Sequence, residues 1–159
     1  MKTDAVIDTP FDCRLGLGFS SVALTSVDFL PVDTPLHRGS SRLARRVAAQ
    51  IDSYFLDARV PLRVPIQWNG TVFRRRVWRA LLDIPPGQVK TYGQLAIELG
   101  SSARAVGGAC RQNPMPLVVP CHRVVAADGD GGFCGALDGP WLQLKQGLLK
   151  HERSRASHV

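Results

Sequence analysis

Apolar and polar positions follow two different periods along the chain. Residues 21–30 carry apolar side chains at alternating positions, in patches rich in strand-forming residues that are flanked by Pro and Gly. This period of two predicts short β-strands within residues 1–33. Apolar residues then recur at spacings of three and four, which predicts a helix capped by Ser40 or Ser41. Its predicted buried stripe consists of Leu43, Val47, Ile51, Tyr54 and Phe55.

The next segment favours extended structure and then a boundary. Val60 to Gln67 is interrupted by proline, so we predict an edge strand or a linker there. Asn69-Gly70 predicts a turn. No residue before position 70 belongs to a chemical motif. We therefore predict an N-terminal α/β scaffold domain over residues 1–68 and a second domain over residues 69–159.

The second domain is predicted to be mainly helical. Thr71 is a candidate N-cap for a helix that ends before Pro85 and buries Phe73, Val77, Ala80 and Leu81. Thr91 and Gln94 form a capping-box pattern, and Gly100 ends the helix that they start. Ser102 caps a third helix, Ala103 to Gln112, which stops before Asn113-Pro114. Two short helices joined by a Gly-Ser turn predict a helix-turn-helix.

Charge and glycine content point to a polyanionic partner for this third helix. The net charge of +7 divides into +1 over residues 1–66 and +6 over residues 67–159. A basic half is typical of nucleic-acid binding, although a solvated basic face is a common alternative. Gly107 and Gly108 each cost a helix roughly 1 kcal/mol relative to alanine. They favour either close approach of DNA to a thin helix carrying Arg104 and Arg111, or tight packing against a neighbouring helix.

Composition excludes several other classes. Of the 159 residues, 45% are hydrophobic and 21% are charged, as in ordinary globular proteins. No apolar run has the length that a membrane span requires, and the acidic N-terminus does not resemble a secretory signal. The four cysteines form no C-x-x-C pair, and the histidines complete no zinc pattern. We therefore expect free thiols in a reducing cytoplasm, without a metal and without a membrane.

One cysteine lies at the end of an apolar run. The run is Leu117-Val118-Val119-Pro120, followed by Cys121, His122 and Arg123. A thiol beside a cationic or proton-accepting group can act as a nucleophile, and the β-branched run predicts that Cys121 is buried. Taken alone, the pattern favours a small buried apolar residue over a nucleophile.

The segment Pro120 to Val125 resembles the active-site motif of the O6-alkylguanine-DNA alkyltransferases, or methylated-DNA–protein-cysteine methyltransferases. Further blocks resemble the family in the same order: Ile84-Pro85-Pro86-Gly87, Thr91 to Ala96, Arg104 to Ala109, Asn113-Pro114, Gly132-Phe133 and Leu148 to Glu152. The resemblance covers most of residues 71–152. It implies a ribonuclease-H-like α/β domain over residues 1–68. Residues 69–159 would then form the DNA-binding and alkyl-acceptor domain with its helix-turn-helix.

The resemblance also implies an activity. Duplex DNA containing O6-alkylguanine would be bound from the minor groove, with O4-alkylthymine as a second candidate lesion. The damaged base would be flipped into a pocket, because its reacting atom is inaccessible within the stack. The alkyl group would pass irreversibly to Cys121, so each molecule would act once, as a monomer and without a cofactor.

Roles in the chemistry follow by resemblance. Cys121 is similar to the alkyl acceptor, His122 to the base that takes its proton, and Glu152 to the carboxylate that orients the histidine. Tyr92 is similar to the tyrosine that donates a hydrogen bond to the base. Adjacent residues on an extended segment point in opposite directions, so we expect a water between Cys121 and His122.

Roles in binding follow in the same way. Arg104 is similar to the arginine that fills the space vacated by the base, and Arg111 is expected to meet phosphate. The full predicted DNA-binding set is Thr91, Arg104, Ala105, Gly107 and Arg111. The predicted pocket and structural set is Cys110, Asn113, Pro116, Val124, Phe133 and Cys134. Within that set, the Val124 carbonyl and the backbone N–H of residue 134 resemble the groups that read guanine.

The chain also departs from the family pattern. Cys134 stands where the family commonly has serine, alanine or threonine, and we hypothesise that it forms a disulfide with Cys121 on oxidation. Two other function classes remain as alternatives. One is a lesion-binding protein that transfers nothing, which the presence of Cys121, His122 and Glu152 disfavours. The other is a cysteine hydrolase, which the absence of an oxyanion-hole motif disfavours.

Overall fold

The computed structural model describes residues 3–127 and 140–156. The chain divides into two compact units, Met1–Trp68 and Asn69–Val159. Within the described residues, the fold is a mixed α/β arrangement of five helices and two small sheets. Among these residues, no helix is long and apolar enough to cross a membrane.

The first unit contains an antiparallel sheet and one long helix. Strands β1 (Ala5–Asp8), β2 (Arg14–Phe19) and β3 (Leu24–Leu30) pair in chain order. Helix α1 (Arg42–Leu56) follows, and its N-cap is Ser41, whose hydroxyl accepts a hydrogen bond from the Ala44 amide at 3.0 Å. The predicted strands and the predicted capped helix are confirmed.

The buried face of α1 differs from the predicted one. Val47, Ile51 and Tyr54 are buried as predicted, but Leu43 and Phe55 are only half-buried. Ala44 and Ala48 take their places in the core. The prediction was wrong there because it gave weight to large side chains, whereas small alanines let the helix axis approach its neighbours.

The end of the first unit is extended. A single parallel bridge joins Ile66 to Leu24, with the Leu24 amide donating to the Pro65 carbonyl at 2.8 Å. The predicted turn at Asn69-Gly70 is wrong. A Cβ atom on Gly70 would approach the Trp78 ring to 2.8 Å, so the glycine at this position is explained by space rather than by a turn.

The second unit is mainly helical. It contains α2 (Val72–Leu82), β4 (Lys90–Thr91), α3 (Tyr92–Leu99), α4 (Ala103–Arg111), a 3₁₀ turn (Cys121–Arg123), β5 (Val124–Val125) and α5 (Pro140–Ala156). Strands β4 and β5 pair in parallel. In α2 the core residues are Val77, Trp78 and Leu81, so the prediction missed Trp78 and placed the half-buried Phe73 and Ala80 too deeply.

The predicted helix signals around α3 and α4 are confirmed. The Thr91 hydroxyl accepts from the Gln94 amide at 3.0 Å, and the Gln94 side chain accepts from the Thr91 amide at 2.8 Å. Gly100 ends α3 in the left-handed conformation, and Ser102 caps α4. The buried Trp78 indole donates to the Ala109 carbonyl at 2.8 Å and thereby ties α2 to α4.

Candidate functional site

A strained turn delivers Cys121 to the interior of the second unit. The Asn113 side chain donates to the Val119 carbonyl at 2.8 Å and accepts from the Met115 amide at 2.9 Å. Leu117, which is buried within this turn, has a φ of 78°, a left-handed value that disfavours a bulky side chain by roughly 1–2 kcal/mol. The run before Cys121 is buried as predicted, and Cys121 itself is 1% exposed.

Cys121, His122 and Arg123 form a 3₁₀ turn, in which the Arg123 amide donates to the Pro120 carbonyl at 3.0 Å. The extended segment assumed from the sequence is therefore wrong at this point. Successive side chains of a 3₁₀ turn are separated by about a third of a rotation rather than by a half. A water between Cys121 and His122 remains a prediction, without support from that argument.

A buried cluster of charged groups surrounds the turn. The His122 Nε2 atom lies 2.8 Å from Glu152 Oε2, which belongs to α5. Arg123 holds the same carboxylate with two donors, Nε to Oε1 at 3.0 Å and Nη2 to Oε2 at 2.8 Å. Its third nitrogen, Nη1, donates to the Ile84 carbonyl at 2.6 Å. His122 and Glu152 are completely shielded from solvent, and Arg123 is nearly so.

The cluster fixes the protonation states of its members. Burial by itself would raise the pKa of Glu152, but the hydrogen bonds that His122 and Arg123 donate, together with the positive charge of Arg123, outweigh it and lower that pKa well below its usual range. Burial lowers the pKa of His122 by more than the bond to Glu152 raises it. We conclude that an ionised Glu152 faces a neutral imidazole ring.

A specific tautomer of His122 follows from those states. An ionised carboxylate only accepts hydrogen bonds, so the His122 Nε2 atom must carry the hydrogen. The lone pair of the neutral ring is then on Nδ1, a buried atom for which the described residues offer no hydrogen-bond partner. This arrangement presents a proton acceptor on the ring of the residue adjacent to Cys121.

Lys145 is a further charged residue that the sequence prediction missed. It lies on α5, is completely buried, and donates from Nζ to the Val124 carbonyl at 2.7 Å. Its ammonium group also lies 5.9 Å from the centroid of the half-buried Tyr92 ring. A sequence signal did exist, because Lys145 precedes Glu152 by two helical turns on the apolar face that contains Leu148 and Leu149.

Helix α4 exposes a basic face with no side chains at its centre. Arg104 and Arg111 are exposed, while Val106, Ala109 and Cys110 are buried on the opposite side. A Cβ atom at Gly108 would meet no heavy atom within 4 Å, and one at Gly107 would make only ordinary contact with the Tyr92 ring at 3.9 Å. Internal packing therefore does not explain the glycine at position 108.

The remaining predicted site residues occupy varied positions. Thr91 and Ala105 are half-buried, and Pro116 is buried within the turn that Asn113 holds. Phe133 and Cys134 lie outside the described residues, and so does the proposed Cys121–Cys134 bond. The described residues contain no group of three or more His, Cys, Asp or Glu side chains that could hold a metal ion.

Comparison with known proteins decides the family. The profile described as "6-O-methylguanine DNA methyltransferase, DNA binding domain" matches residues 72–154. The chain is 41% identical over 110 residues to the methylated-DNA–protein-cysteine methyltransferase of Mycobacterium tuberculosis, a match that covers 67% of this chain and 64% of that protein. The protein of the same name from Archaeoglobus fulgidus is 41% identical over 108 residues, which cover 66% of this chain and 72% of the relative.

The chain belongs to the methylated-DNA–protein-cysteine methyltransferase family. Solved structures agree with this placement. The crystal structure of Mycobacterium tuberculosis OGT in complex with DNA is similar with a TM-score of 0.75 and 34% identity, covering 94% of this chain and 92% of that one. The O6-methylguanine DNA methyltransferase of Methanococcus jannaschii is similar with a TM-score of 0.66 and 28% identity, covering 93% and 92%. The resemblance inferred from Pro120 to Val125 is confirmed.

Proposed function

We propose that this protein repairs O6-alkylguanine in DNA by irreversible transfer of the alkyl group to Cys121. The observation that carries the proposal is the buried Cys121–His122–Glu152 arrangement, with neutral His122 bonded to ionised Glu152 at 2.8 Å. Membership of the family supports both the substrate and the reaction. The OGT of Mycobacterium tuberculosis has been crystallised with DNA, which supports DNA as the partner of this chain.

The DNA is bound through α3 and α4. Arg104 and Arg111 are exposed on α4, two helical turns apart, and Gly107 and Gly108 lie between them. A helix face without bulk lets the backbone come close to a shallow minor groove, where arginines contact phosphates or enter the duplex. Arg104 fills the space that the flipped base leaves, Arg111 meets phosphate, and Thr91 and Ala105 complete the contact surface.

The transfer itself is a single displacement. His122 accepts the Cys121 proton at Nδ1 through a bridging water, and Glu152 stabilises the resulting imidazolium. The thiolate sulfur forms a bond to the alkyl carbon while the bond from that carbon to guanine O6 breaks, and guanine leaves with the electron pair. Tyr92 donates a hydrogen bond to the departing base, which makes guanine a better leaving group. The thioether has no route back to a thiol, so each molecule reacts once.

The proposed base pocket contains the Val124 carbonyl, whose oxygen accepts from Lys145 Nζ at 2.7 Å and has a second lone pair with which it can accept from guanine. Cys110, Asn113 and Pro116 support the turn beneath it, and Phe133 and Cys134 belong to the same predicted pocket.

We further propose that the first unit has the ribonuclease-H-like topology of the family and serves as scaffold. The protein acts as a cytoplasmic monomer without a cofactor, and O4-alkylthymine is a second candidate lesion.

A kinetic experiment distinguishes this function from its alternatives. Duplex DNA containing O6-methylguanine is mixed with a smaller molar amount of the protein. The amount of repaired guanine is then measured as a function of time. The proposal predicts one repaired base per protein molecule and then no further product. Continued product formation would establish a turning-over hydrolase, and tight binding without any product would establish a lesion-binding protein.

A further inference from the structure

Arg123 makes three directional contacts in and beside the cluster, although the proposed reaction assigns it no role. Its side chain uses three separate nitrogens, two on Glu152 and one on the Ile84 carbonyl, at distances between 2.6 and 3.0 Å. A planar guanidinium held at three points has no rotational freedom left. Arg123 therefore connects the 3₁₀ turn, α5 and the segment that follows α2 in one fixed geometry.

This geometry controls where Glu152 can point. Oε2 of Glu152 accepts from both Arg123 Nη2 and His122 Nε2, each at 2.8 Å, while Oε1 accepts from Arg123 Nε. With both oxygens bound by the guanidinium fork, the carboxylate plane cannot turn. The remaining lone pair of Oε2 is thereby aimed at the imidazole ring.

The charge of Arg123 matters as much as its shape. A carboxylate buried beside a histidine alone would draw a proton onto the ring, because an unpaired buried anion is very unfavourable. Arg123 supplies the balancing charge, and its positive field also opposes protonation of His122. The other charged groups that act on His122 are Glu152 and Lys145 of α5. Among the described residues, α2 contributes no charged group to that environment.

We propose that Arg123 is a positioning residue that keeps His122 a neutral base with its lone pair on Nδ1, by clamping Glu152 and balancing its charge. The inference rests on the proposed function, because alkyl transfer requires that lone pair to take the Cys121 proton. It concerns the resting state of the ring, and that state is measurable without DNA.

The ring state is measured by NMR of the full chain with ¹⁵N-labelled histidine, in which the His122 signals are assigned by their loss in His122→Asn. The wild-type protein is expected to show a neutral ring at neutral pH with the hydrogen on Nε2. In Arg123→Gln the ring is expected to be protonated at the same pH. Arg123→Lys, which keeps the charge but loses the fork, is expected to lie between them.

The transfer rate supplies a second readout. Without Arg123 the ring already carries a proton, so the acid limb of the pH–rate profile moves to higher pH and the rate at neutral pH falls roughly tenfold or more, since general-base catalysis contributes on the order of 10² to 10⁴-fold. In Arg123→Lys, the acid limb and the rate at neutral pH are both expected to lie between those of the wild type and those of Arg123→Gln. The matched control is Arg59→Lys, because Arg59 makes the same two-point contact with Asp57, at 3.1 Å, on the exposed surface. That variant is expected to change neither readout.

Three results would overturn the proposal. They are a wild-type His122 ring that is protonated at neutral pH, a wild-type ring with its hydrogen on Nδ1, and a folded Arg123→Gln protein whose ring state matches the wild type. If Arg123→Gln does not fold, the proposal is still tested by the ring state of His122 in the wild-type protein and by its change in Arg123→Lys. Failure of the proposed function would instead appear as a wild-type protein that transfers no alkyl group while its ring spectra are as described.

Discussion

The two units of this chain bury different chemistry. Among the described residues of the first unit, Ser26 is the one buried polar side chain, and the rest of the buried side chains there are hydrocarbon or aromatic. The second unit buries four charged or titratable side chains, His122, Arg123, Lys145 and Glu152, two of which directly follow Cys121 in the chain. The hydrophobic effect that stabilises an apolar core is not directional. Buried charges, in contrast, stabilise a structure only when they are paired in the right geometry. The buried charged groups of the second unit therefore lie where the proposed alkyl transfer requires them.

One ion pair in each unit shows the same difference in the burial of charge. Arg38 and Asp52 approach to 2.8 Å in the first unit, with about half of each side chain exposed at 52% and 44%. Arg123 and Glu152 approach to the same 2.8 Å in the second unit, with exposures of 9% and 0%. Solvent weakens the first pair, whereas the second acts at full strength on its neighbours.

Replacing Cys121 by alanine has the largest expected effect. Cys121→Ala removes the only atom that can accept the alkyl group in the proposed reaction, so transfer falls to zero. The buried charges around it and the basic face of α4 are untouched, so the affinity for duplex DNA stays within about threefold, or about 0.7 kcal/mol. A gel-shift titration beside the transfer assay checks both, and loss of DNA binding as well would mean that Cys121 has a structural role.

Removing one partner of each ion pair tests the comparison by stability. Glu152→Ala leaves Arg123 buried without its counter-charge, so the free energy of unfolding is expected to fall by about 3–5 kcal/mol. Asp52→Ala, the matched control on the exposed pair, is expected to change it by less than about 1 kcal/mol. Urea denaturation measures both. Equal losses would show that the buried cluster does not differ energetically from a surface pair.

Acid is expected to destabilise the second unit through its buried groups. The pKa values of His122 and Glu152 are both lowered in the folded state, so the unfolded chain binds more protons than the folded chain as pH falls. Stability from His122 is present above its ordinary pKa of 6.5 and is lost below it. Stability from Glu152 is lost in the same direction below 4.5.

Hydrogen exchange between about pH 7.5 and about pH 4 follows this loss, with amides of β2 in the first unit as the internal reference. Protection in α5 is expected to fall as pH falls, and Glu152→Gln removes the part that begins near 4.5. If α5 and β2 lost protection together at every pH, the buried charges of the second unit would not be the cause.

The smallest expected effect comes from exchanging glycine and alanine on the surfaces of α4 and α1. Gly108→Ala is expected to stabilise α4 by roughly 1 kcal/mol, because the added Cβ atom enters open space and glycine is a poor helix former. The same methyl group is expected to weaken binding to duplex DNA by keeping the groove at a distance. The control is Ala49→Gly on the exposed side of α1, which is expected to destabilise by a similar amount without affecting DNA binding. Unchanged DNA affinity in Gly108→Ala would remove the thin face of α4 from the interface.

Local signals predicted much of the fold. The capping box of Thr91 and Gln94, the left-handed Gly100 and the N-cap Ser102 act within one helical turn, so the residues beside them suffice to interpret them. The 3₁₀ turn at Cys121 was missed because Asn113 and a left-handed Leu117 fix it, and a β-branched run alone favours extended backbone. The buried face of α1 was partly missed because two alanines carry it.

The candidate site was predictable only in part, because some of its contacts join residues that are far apart in the sequence. Cys121, His122 and Glu152 follow from the resemblance to a family, but nothing local assigns partners to Arg123 and Lys145. Arg123 reaches Ile84, which is 39 residues earlier in the chain, and Lys145 reaches Val124, which is 21 residues earlier. Such contacts depend on how helices pack, and a charged residue read in isolation is predicted to lie at the surface.

Peptide mapping of the reacted protein tests the central claim most directly. The full chain is incubated with duplex DNA containing methyl-labelled O6-methylguanine, digested, and analysed by mass spectrometry for the position of the label. The buried charged cluster predicts one methyl group per molecule, on Cys121, with none on Cys13 or Cys110. A label on another cysteine, or repaired DNA without any labelled protein, would contradict the account.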